Sequence, residues 1–295
     1  MLRPMISIII VNYNTPLYTA ACIRSIFNEV KSYPFEVIVV DNASKDSSVN
    51  DLKSEFGDRI NLIESDTNLG FGRANNLGAS LAKGKYLFFL NSDTVLLDDP
   101  FIQFVDFYES HNGVGMLGCY LVDGQSQYTL SGGNTYSIKK YLKVAFNGLM
   151  RRTSPMEIER TDTVQKVDYV IGADIFIEAS LLKAVGGFDP HIFMYFEDVE
   201  LCSRLTAMRK TNYLLPGIGI VHFVNGSTPS QFSRVYNTAS LMYCLRKKYG
   251  AFKFTIFQFL YFLMKMPLLL RLNRFKDEVE YVLSIYNYKK YLVKQ

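Results

Sequence analysis

"KYLFFLNSDTVLLDDP", Lys85 to Pro100, decides how this chain is read. An apolar run, Tyr86 to Leu90, follows a Gly-Lys turn and stops on Asn91, Ser92 and Asp93 before Val95 to Leu97 resumes. A short unbroken apolar run bounded by turn formers predicts a buried strand of a parallel sheet, and open α/β sheets place ligands at the carboxyl ends of such strands. The alternative is a plain strand end closed by small turn formers.

The sequence before it decides between the two. "MISIIIVNYN" is an apolar strand that ends in polar turn formers, and "PLYTAACIRSIF" follows as an amphipathic helix with Pro16 near its start. "FEVIVVDNASKDSS" repeats the pattern, with a strand over Glu36 to Val40, a polar end at Asp41, and Ser47 or Ser48 as cap of a helix through Phe56. A third round predicts a helix from about Gly72 to Lys83, closed by Gly84. Such a βαβ series implies right-handed crossovers in a mainly parallel sheet. Asn12-Tyr13-Asn14, Asp41-Asn42-Ala43-Ser44 and Asn91-Ser92-Asp93 then fall on one edge. One polar strand end is explained by a turn; three on one edge imply a polar ligand.

Composition narrows the class. The 295 residues are 48% hydrophobic, enough for one large α/β domain or two small ones and too apolar for a disordered chain. Cys22, Cys119, Cys202 and Cys244 are widely spaced and form neither a disulfide framework nor a zinc pattern, which fits a reducing cytoplasm. The apolar start, Ile6 to Val11, is too short for a secretory signal.

The net charge of +4 hides an asymmetry: residues 1–233 hold 20 Lys and Arg against 25 Asp and Glu, and 234–295 hold 12 against 3. That basic tail contains "AFKFTIFQFLYFLMKMPLLLRL", whose longest uncharged run, Phe254 to Met264, is too short to span a bilayer as a helix. Apolar, aromatic and basic residues together predict a helix lying on an anionic membrane rather than a nucleic-acid binder, the alternative being a buried helix with a solvated basic face.

"GFGRANNLG" is not a dinucleotide fingerprint, because Asn75 stands where the third glycine belongs, and no GxxxxGK[ST] loop occurs. Residues 125–165 are read as an acceptor loop or a surface excursion. Further on, Tyr169 to Ile177 reads as strand, Ala179 to Val185 as a short helix ended by Gly186-Gly187, and Val199 to Met208 as a helix entered through Glu197-Asp198. Carboxylates cap helix starts. The apolar Phe193 to Phe196 stretch before them would raise a carboxylate's proton affinity, as a general base needs.

Taken in order, "SIIIVNYN", "VIVVDNASKDSS", "NLGFGRANNLGA", "YLFFLNSDT", "GGFDPHIFMYFEDVELCSRL" and "VHFVNGS" resemble a family-2 glycosyltransferase with the GT-A fold, over roughly residues 5–227. Within that family the "NYN", "NLGFGRANN" and "HFVNGS" variants are most similar to bacterial rhamnosyltransferases that use a dTDP-sugar in surface polysaccharide synthesis. The resemblance implies a GT-A domain over 1–233, with a nucleotide-sugar half to about 100 and an acceptor half after it. A helical basic and apolar extension, 234–295, follows.

The resemblance also implies roles. Asn12, Tyr13, Asn14, Asp41, Asn42, Arg73, Asn91, Ser92 and Asp93 would hold the dTDP- or UDP-sugar. Asp93, as the last acid of the family's DxD signature, and His222 would hold Mg²⁺ or Mn²⁺. Asp198 would be the general base, with Glu197 second. The implied reaction inverts the anomeric centre of the donated sugar on a glycan or polyprenyl-diphosphate-linked acceptor, at the cytoplasmic face of the membrane. Two departures stand out: Asn91 replaces the first acid of DxD, and QxxRW is absent from a chain without Trp, which predicts addition of one or a few sugars rather than a long polymer. The rival readings are a nucleotidyltransferase, which would want a Gly-rich basic loop after the first strand, and an inactive sugar-binding or scaffold relative, for which Asn91 is the only hint.

Overall fold

The computed structural model describes residues 4–134, 137–150, 158–223, 230–270 and 275–293. The end of "VHFVNGS" (224–227), residues 135–136 and 151–157 of the 125–165 segment, and 271–274 of the tail lie outside the described residues.

The elements run β1 (Ile6–Asn12), α1 (Pro16–Glu29), β2 (Phe35–Asp41), α2 (Ser48–Phe56), β3 (Asn61–Glu64), α3 (Phe71–Leu81), β4 (Tyr86–Asn91), β5 (Thr94–Leu96), α4 (Phe101–Ser110), β6 (Val114–Cys119) and β7 (Gly132–Gly133). There follow α5 (Ile138–Leu149), β8 (Gln165–Val167), β9 (Tyr169–Val170), β10 (Asp174–Glu178), α6 (Ala179–Val185), α7 (Glu197–Ala207), β11 (Thr211–Leu215), β12 (Ile220–His222), α8 (Ser230–Lys265) and α9 (Phe275–Ser284).

The chain divides into two compact units. The first comprises Met1–Asn134, Glu157–Asp189 and Asp198–Ser227 and holds an eight-stranded sheet in the order β3-β2-β1-β4-β10-β6-β11-β8. β3, β2, β1 and β4 are mutually parallel, as the repeated strand and helix pattern requires. β10 then enters antiparallel to both β4 and β6, β11 runs parallel to β6, and β8 closes the edge antiparallel. β1 is apolar almost throughout because both its faces are covered: Ile8 and Ile10 join the layer of Ile23, Ile26 and Phe88, and Ile9 joins that of Phe89, Ile175 and Leu201. Each such side chain, taken fully out of water, contributes about 1.5–3 kcal/mol.

Several sequence expectations shift. The third helix ends at Leu81, before Ala82 turns to extended geometry, and Gly84 is not its cap. Gly84 instead passes so close to β1 that a Cβ there would lie 2.6 Å from the Ser7 nitrogen. The run Tyr169 to Ile177 is two strands, since Ile171–Ala173 leaves the ladder between β9 and β10. Of the apolar stretch after Asp93, only Leu96 returns to the core, while Leu97 is exposed. The 125–165 segment carries a helix, α5, capped by the Ser137 hydroxyl, which accepts from the Lys140 amide; its apolar residues at 138, 141, 142, 145, 146 and 149 have helical spacing.

The second unit comprises Thr135–Met156, Pro190–Glu197 and Thr228–Gln295, so segments from the middle of the chain group with the tail, and the division is not a single cut at 233. Its helices are α5, α8 and α9. α8 contains a break at Gly250, whose φ of 75° and ψ of 170° are available to glycine and costly for other residues. Arg234 on α8 pairs with the fully buried Glu278 of α9 at 2.7 Å and lies over the Tyr281 ring.

Candidate active site

The carboxyl ends of β1, β2 and β4 meet in register: Asn12 is paired with Asp41, and Val11 with Asn91. The three polar strand ends of the sequence are therefore side by side, as the parallel series demands. Asn12 and Asp41 are buried and joined, the Asn12 amide donating to Asp41 Oδ1 at 2.7 Å and to the Ser44 hydroxyl at 3.1 Å. Thr19 on α1 donates to Asn12 Oδ1 at 2.6 Å and fixes which way that amide faces. Asp41 also accepts from the Ser44 amide at 3.0 Å. Asn14, in the left-handed region at φ 55°, staples the two loops, since its backbone N–H donates to the Ser44 hydroxyl and its Oδ1 accepts from the Lys45 backbone N–H. The result is a rigid polar floor in which most donors are already used.

Asn42 holds the next loop, its Oδ1 accepting from Leu69 and its amide donating to Asn68. Arg73, on the first turn of α3, donates through Nε to the Leu69 carbonyl, and no carboxylate pairs with it among the described residues. Its charge is thus fixed in place and open to an anion. Tyr13 is exposed beside these groups.

The second cluster forms through a long-range pairing. β12 runs antiparallel to β5, opposing His222 to Thr94, and the Phe223 amide donates to the Asp93 carbonyl. This brings His222 Nε2 to 3.3 Å from Asp93 Oδ1 and 3.5 Å from the Asn91 side-chain nitrogen. Ser92 contacts Thr15 through its hydroxyl at 3.4 Å. Two buried polar atoms here, Asn91 Oδ1 and His222 Nδ1, have no hydrogen-bond partner among the described residues. Such atoms are costly unless something outside the chain meets them.

These residues fit a divalent cation. Two ligand atoms bound at right angles around Mg²⁺ stand about 3 Å apart, close to the Asp93 to His222 separation of 3.3 Å. A half-turn of the Asn91 amide presents its oxygen to the same point without changing its shape. The donor set is one carboxylate, one imidazole and one amide, and the described residues contain no group of three His, Cys, Asp or Glu side chains at metal-binding distance.

Asp198 reaches this edge by a short chain of contacts. The Asn91 backbone N–H donates to the Ala173 carbonyl at 3.0 Å, and the neighbouring Gly172 backbone N–H donates to Asp198 Oδ2 at 2.8 Å. Asp198 Oδ1 accepts from the Val199 amide at 2.7 Å, as expected for a carboxylate in the first turn of α7. The break between β9 and β10 is what frees the Gly172 N–H for this contact. Burial nonetheless outweighs both hydrogen bonds and pushes the Asp198 carboxyl up to about 6. Tyr169 is raised in turn, first by burial and then by the Asp198 charge.

The sequence assigned the apolar surroundings of Asp198 to Phe193 through Phe196. Those residues belong to the second unit. There Tyr195 donates to Ser233, Met194 accepts from Ser240, and Phe196 lies 6.2 Å from the Tyr141 ring. In the first unit, Gly172 and Tyr169 flank Asp198. Glu197 is buried at the start of α7 and groups with the second unit. Tyr195 and Phe196 both have φ of 66°, strained for aromatic residues and placed immediately before the carboxylate pair.

Sequence reasoning missed Thr19, Asn68 and Gly172, and named Ser44 only as part of a polar strand end. Ser44 and Asn68 lie in motifs already singled out, so turn chemistry pointed to them. The Gly172 contact depends on a strand break that no periodicity reports.

The profile of Glycosyl transferase family 2 matches residues 7–163, more than half of the chain. The chain belongs to this family. Among curated relatives, the rhamnosyltransferase WbbL of Escherichia coli K12 is 26% identical over 260 residues, 83% of this chain and 94% of its own length. The dTDP-rhamnosyl transferase RfbF of Shigella flexneri is 23% identical over 289 residues, 93% of this chain and 90% of its own. Among solved structures, the Pyrobaculum calidifontis mannosyltransferase PcManGT, in complex with GDP-Man and Mn²⁺, superposes with a TM-score of 0.57 at 14% identity over 99% of this chain and 88% of its own. GalNAc-T7 with UDP, GalNAc and Mn²⁺ gives 0.59 at 13% identity, over 81% of this chain and 48% of that one. The fold is GT-A, as the ordered motifs implied.

Proposed function

We propose that this family-2 glycosyltransferase moves one sugar, L-rhamnose, from a dTDP-linked donor to a hydroxyl of a glycan or polyprenyl-diphosphate-linked acceptor at the cytoplasmic face of the membrane. The observation that carries this reading is the meeting at one sheet edge of the Asn12–Asp41 floor, the Asn91–Asp93–His222 cluster and, through Ala173 and Gly172, the raised carboxyl of Asp198. The choice of dTDP-rhamnose is supported by the two rhamnosyltransferase relatives, which match nearly end to end.

In this reading the buried Asp41, oriented by Asn12 and Ser44, accepts from the base or ribose of the donor, and Tyr13, Asn14, Asn42 and Ser92 line the same edge. Arg73 offers its unpaired charge to the diphosphate. Asp93, His222 and Asn91 would hold a divalent cation, Mg²⁺ or Mn²⁺, which would neutralise charge on the departing diphosphate. Asp198 takes the acceptor's hydroxyl proton as that oxygen bonds the anomeric carbon. The bond from this carbon to the diphosphate breaks, and its electron pair leaves with the diphosphate. One such displacement inverts the anomeric centre. General-base assistance of this kind contributes about 10²- to 10⁴-fold, and a carboxyl raised to about 6 is matched to neutral pH better than an ordinary one. Glu197, adjacent but in the other unit, is the second choice.

Thermal unfolding with dTDP-rhamnose, UDP-glucose, UDP-galactose and UDP-GlcNAc, each with and without Mn²⁺, tests the donor. A ligand at a hundred times its Kd stabilises the folded form by about 2.7 kcal/mol. A Mn²⁺-dependent rise with dTDP-rhamnose that Asp93→Ala abolishes is expected. A rise with a UDP-sugar instead would replace the donor, and no rise with any of the four would overturn the reading.

A further inference from the structure

The part of α8 beyond Gly250 breaks the usual rule for a surface helix. Its inner face is filled: Phe254 and Phe257 are buried, Phe254 meets the Tyr288 ring at 5.8 Å, and Gln258 donates to the Ile285 carbonyl at 2.7 Å. Its outer face is apolar too. Phe252 is 80% exposed, Ile256 51%, Phe259 54% and Leu263 48%. Spacings of four, three and four residues put these side chains in one stripe. Beside it, the half-buried Phe262 meets the exposed Tyr286 ring, in the turn after α9, at 4.8 Å. Soluble surfaces rarely leave so much contiguous apolar area uncovered.

By length and composition alone, Gln231–Leu270 could cross a membrane. The geometry points elsewhere. The turn at Gly250 separates the apolar part from the rest of α8, and its longest run without a charge, Phe254–Met264, extends only about 16 Å as a helix against a hydrocarbon core of about 30 Å. One side of this part is also sealed by its own unit. A helix with one face bound to protein and one apolar face outward lies along an interface.

Charge identifies the occupant. Residues 234–295 carry 12 basic against 3 acidic side chains. Arg246, Lys247 and Lys248 are exposed on the turn before the break, Lys253 stands next to Phe252, and Lys289 and Lys290 are exposed after α9. A second copy would bring two net-basic tails together, whereas an anionic bilayer complements their charge. We infer that the α8 face of Phe252, Ile256, Phe259 and Leu263 lies flat in the headgroup region of an anionic membrane. This inference rests on the membrane-face part of the proposed function and deepens it; its test reads no activity, so its failure would leave the sugar-transfer part standing.

The test is flotation of the full-length protein with phosphatidylcholine vesicles and with vesicles containing about 30% phosphatidylglycerol, enough anionic lipid to give the surface the negative potential that attracts Lys and Arg. The protein is expected to float with the anionic vesicles at least about tenfold better than with neutral ones, to be released by high salt or alkaline carbonate, and to lose binding on combined replacement of Phe252, Ile256 and Phe259 by Glu. Because the chain has no Trp, Ile256→Trp supplies a single Trp and an independent reading. Its emission is expected to shift to the blue and to be quenched by brominated acyl chains. Absence of flotation together with an unshifted Trp emission would overturn the inference. So would resistance to carbonate, which means a spanning helix, or a dimer that the Glu variant makes monomeric without any vesicle binding.

Discussion

Replacing Asp198 by asparagine separates two properties that its surroundings tie together. The wild-type carboxyl is raised from 3.8 to about 6 by burial, against the pull of the Val199 and Gly172 amides. A carboxyl that binds its proton more tightly in the folded form favours folding at low pH and loses that advantage as pH rises from about 4 to about 6. Over that window the loss is at most about 3 kcal/mol, from 1.36 kcal/mol for each pH unit between the two values. The Asp198→Asn side chain does not titrate, so the variant is expected to lack that part of the pH dependence. At any one pH it also suffers a fixed cost, because its NH₂ must face one of the two backbone N–H groups, worth about 1–3 kcal/mol. Urea unfolding of both proteins at pH 4.5 and pH 7 isolates the titration, since the fixed cost cancels in the difference. Turnover of the variant is expected to fall by about 10²- to 10⁴-fold, and the wild-type rate to rise with pH through about 6 and then level off. A variant that keeps more than about a tenth of wild-type turnover, or that shows the same pH dependence of stability, would refute the assignment of base and the account of its burial.

Asn91→Asp adds a carboxylate where an amide oxygen has no partner among the described residues, and Mn²⁺ binding followed by calorimetry is expected to tighten about tenfold, a gain of about 1.4 kcal/mol; unchanged affinity would remove Asn91 from the cation site. Asp174 is fully buried, accepts from the Cys119 amide at 2.6 Å and is pushed up to about 8 by burial, so wild-type stability should fall as pH rises from about 4 to about 8, and Asp174→Asn should be the more stable protein at pH 9 by at least about 2 kcal/mol in urea unfolding. Gly84→Ala places a methyl 2.6 Å from the Ser7 backbone and is expected to cost about 1–3 kcal/mol, read as a lower Tm with no change in transfer activity per folded molecule.

The first hundred residues were legible because their information is local. In β1, β2 and β4 an apolar run stops on a polar residue, and parallel neighbours of similar length bring those stops together, as the Asn12–Asp41 and Val11–Asn91 pairings record. α6 with its Gly186-Gly187 end was equally plain, since both glycines take left-handed geometry. What stayed hidden depends on contacts distant in sequence. Nothing periodic in "GIVH" announces that β12 will pair with β5 and set His222 against Asp93, nor that β10 will run against its neighbours. α5 was missed for a different reason, because its helical spacing sits between stretches of sequence rich in Gly, Ser and Arg that drew the reading toward irregular structure. The exposed stripe on α8 follows from which side of an apolar helix its own unit covers, and composition cannot say which side that is.

The strand order has a consequence for synthesis. Tyr86–Asn91 is an apolar strand whose outer neighbour, Asp174–Glu178, lies about 80 residues further along the chain. At about 5–20 residues per second, a ribosome takes several seconds to deliver that neighbour. Throughout that interval the nascent sheet has an open edge made of Tyr, Leu and Phe, with none of the charges that natural sheets use to discourage edge pairing. Slower translation between residues 91 and 174 lengthens the exposure, and a chaperone that covers this strand for those seconds raises the yield of folded enzyme.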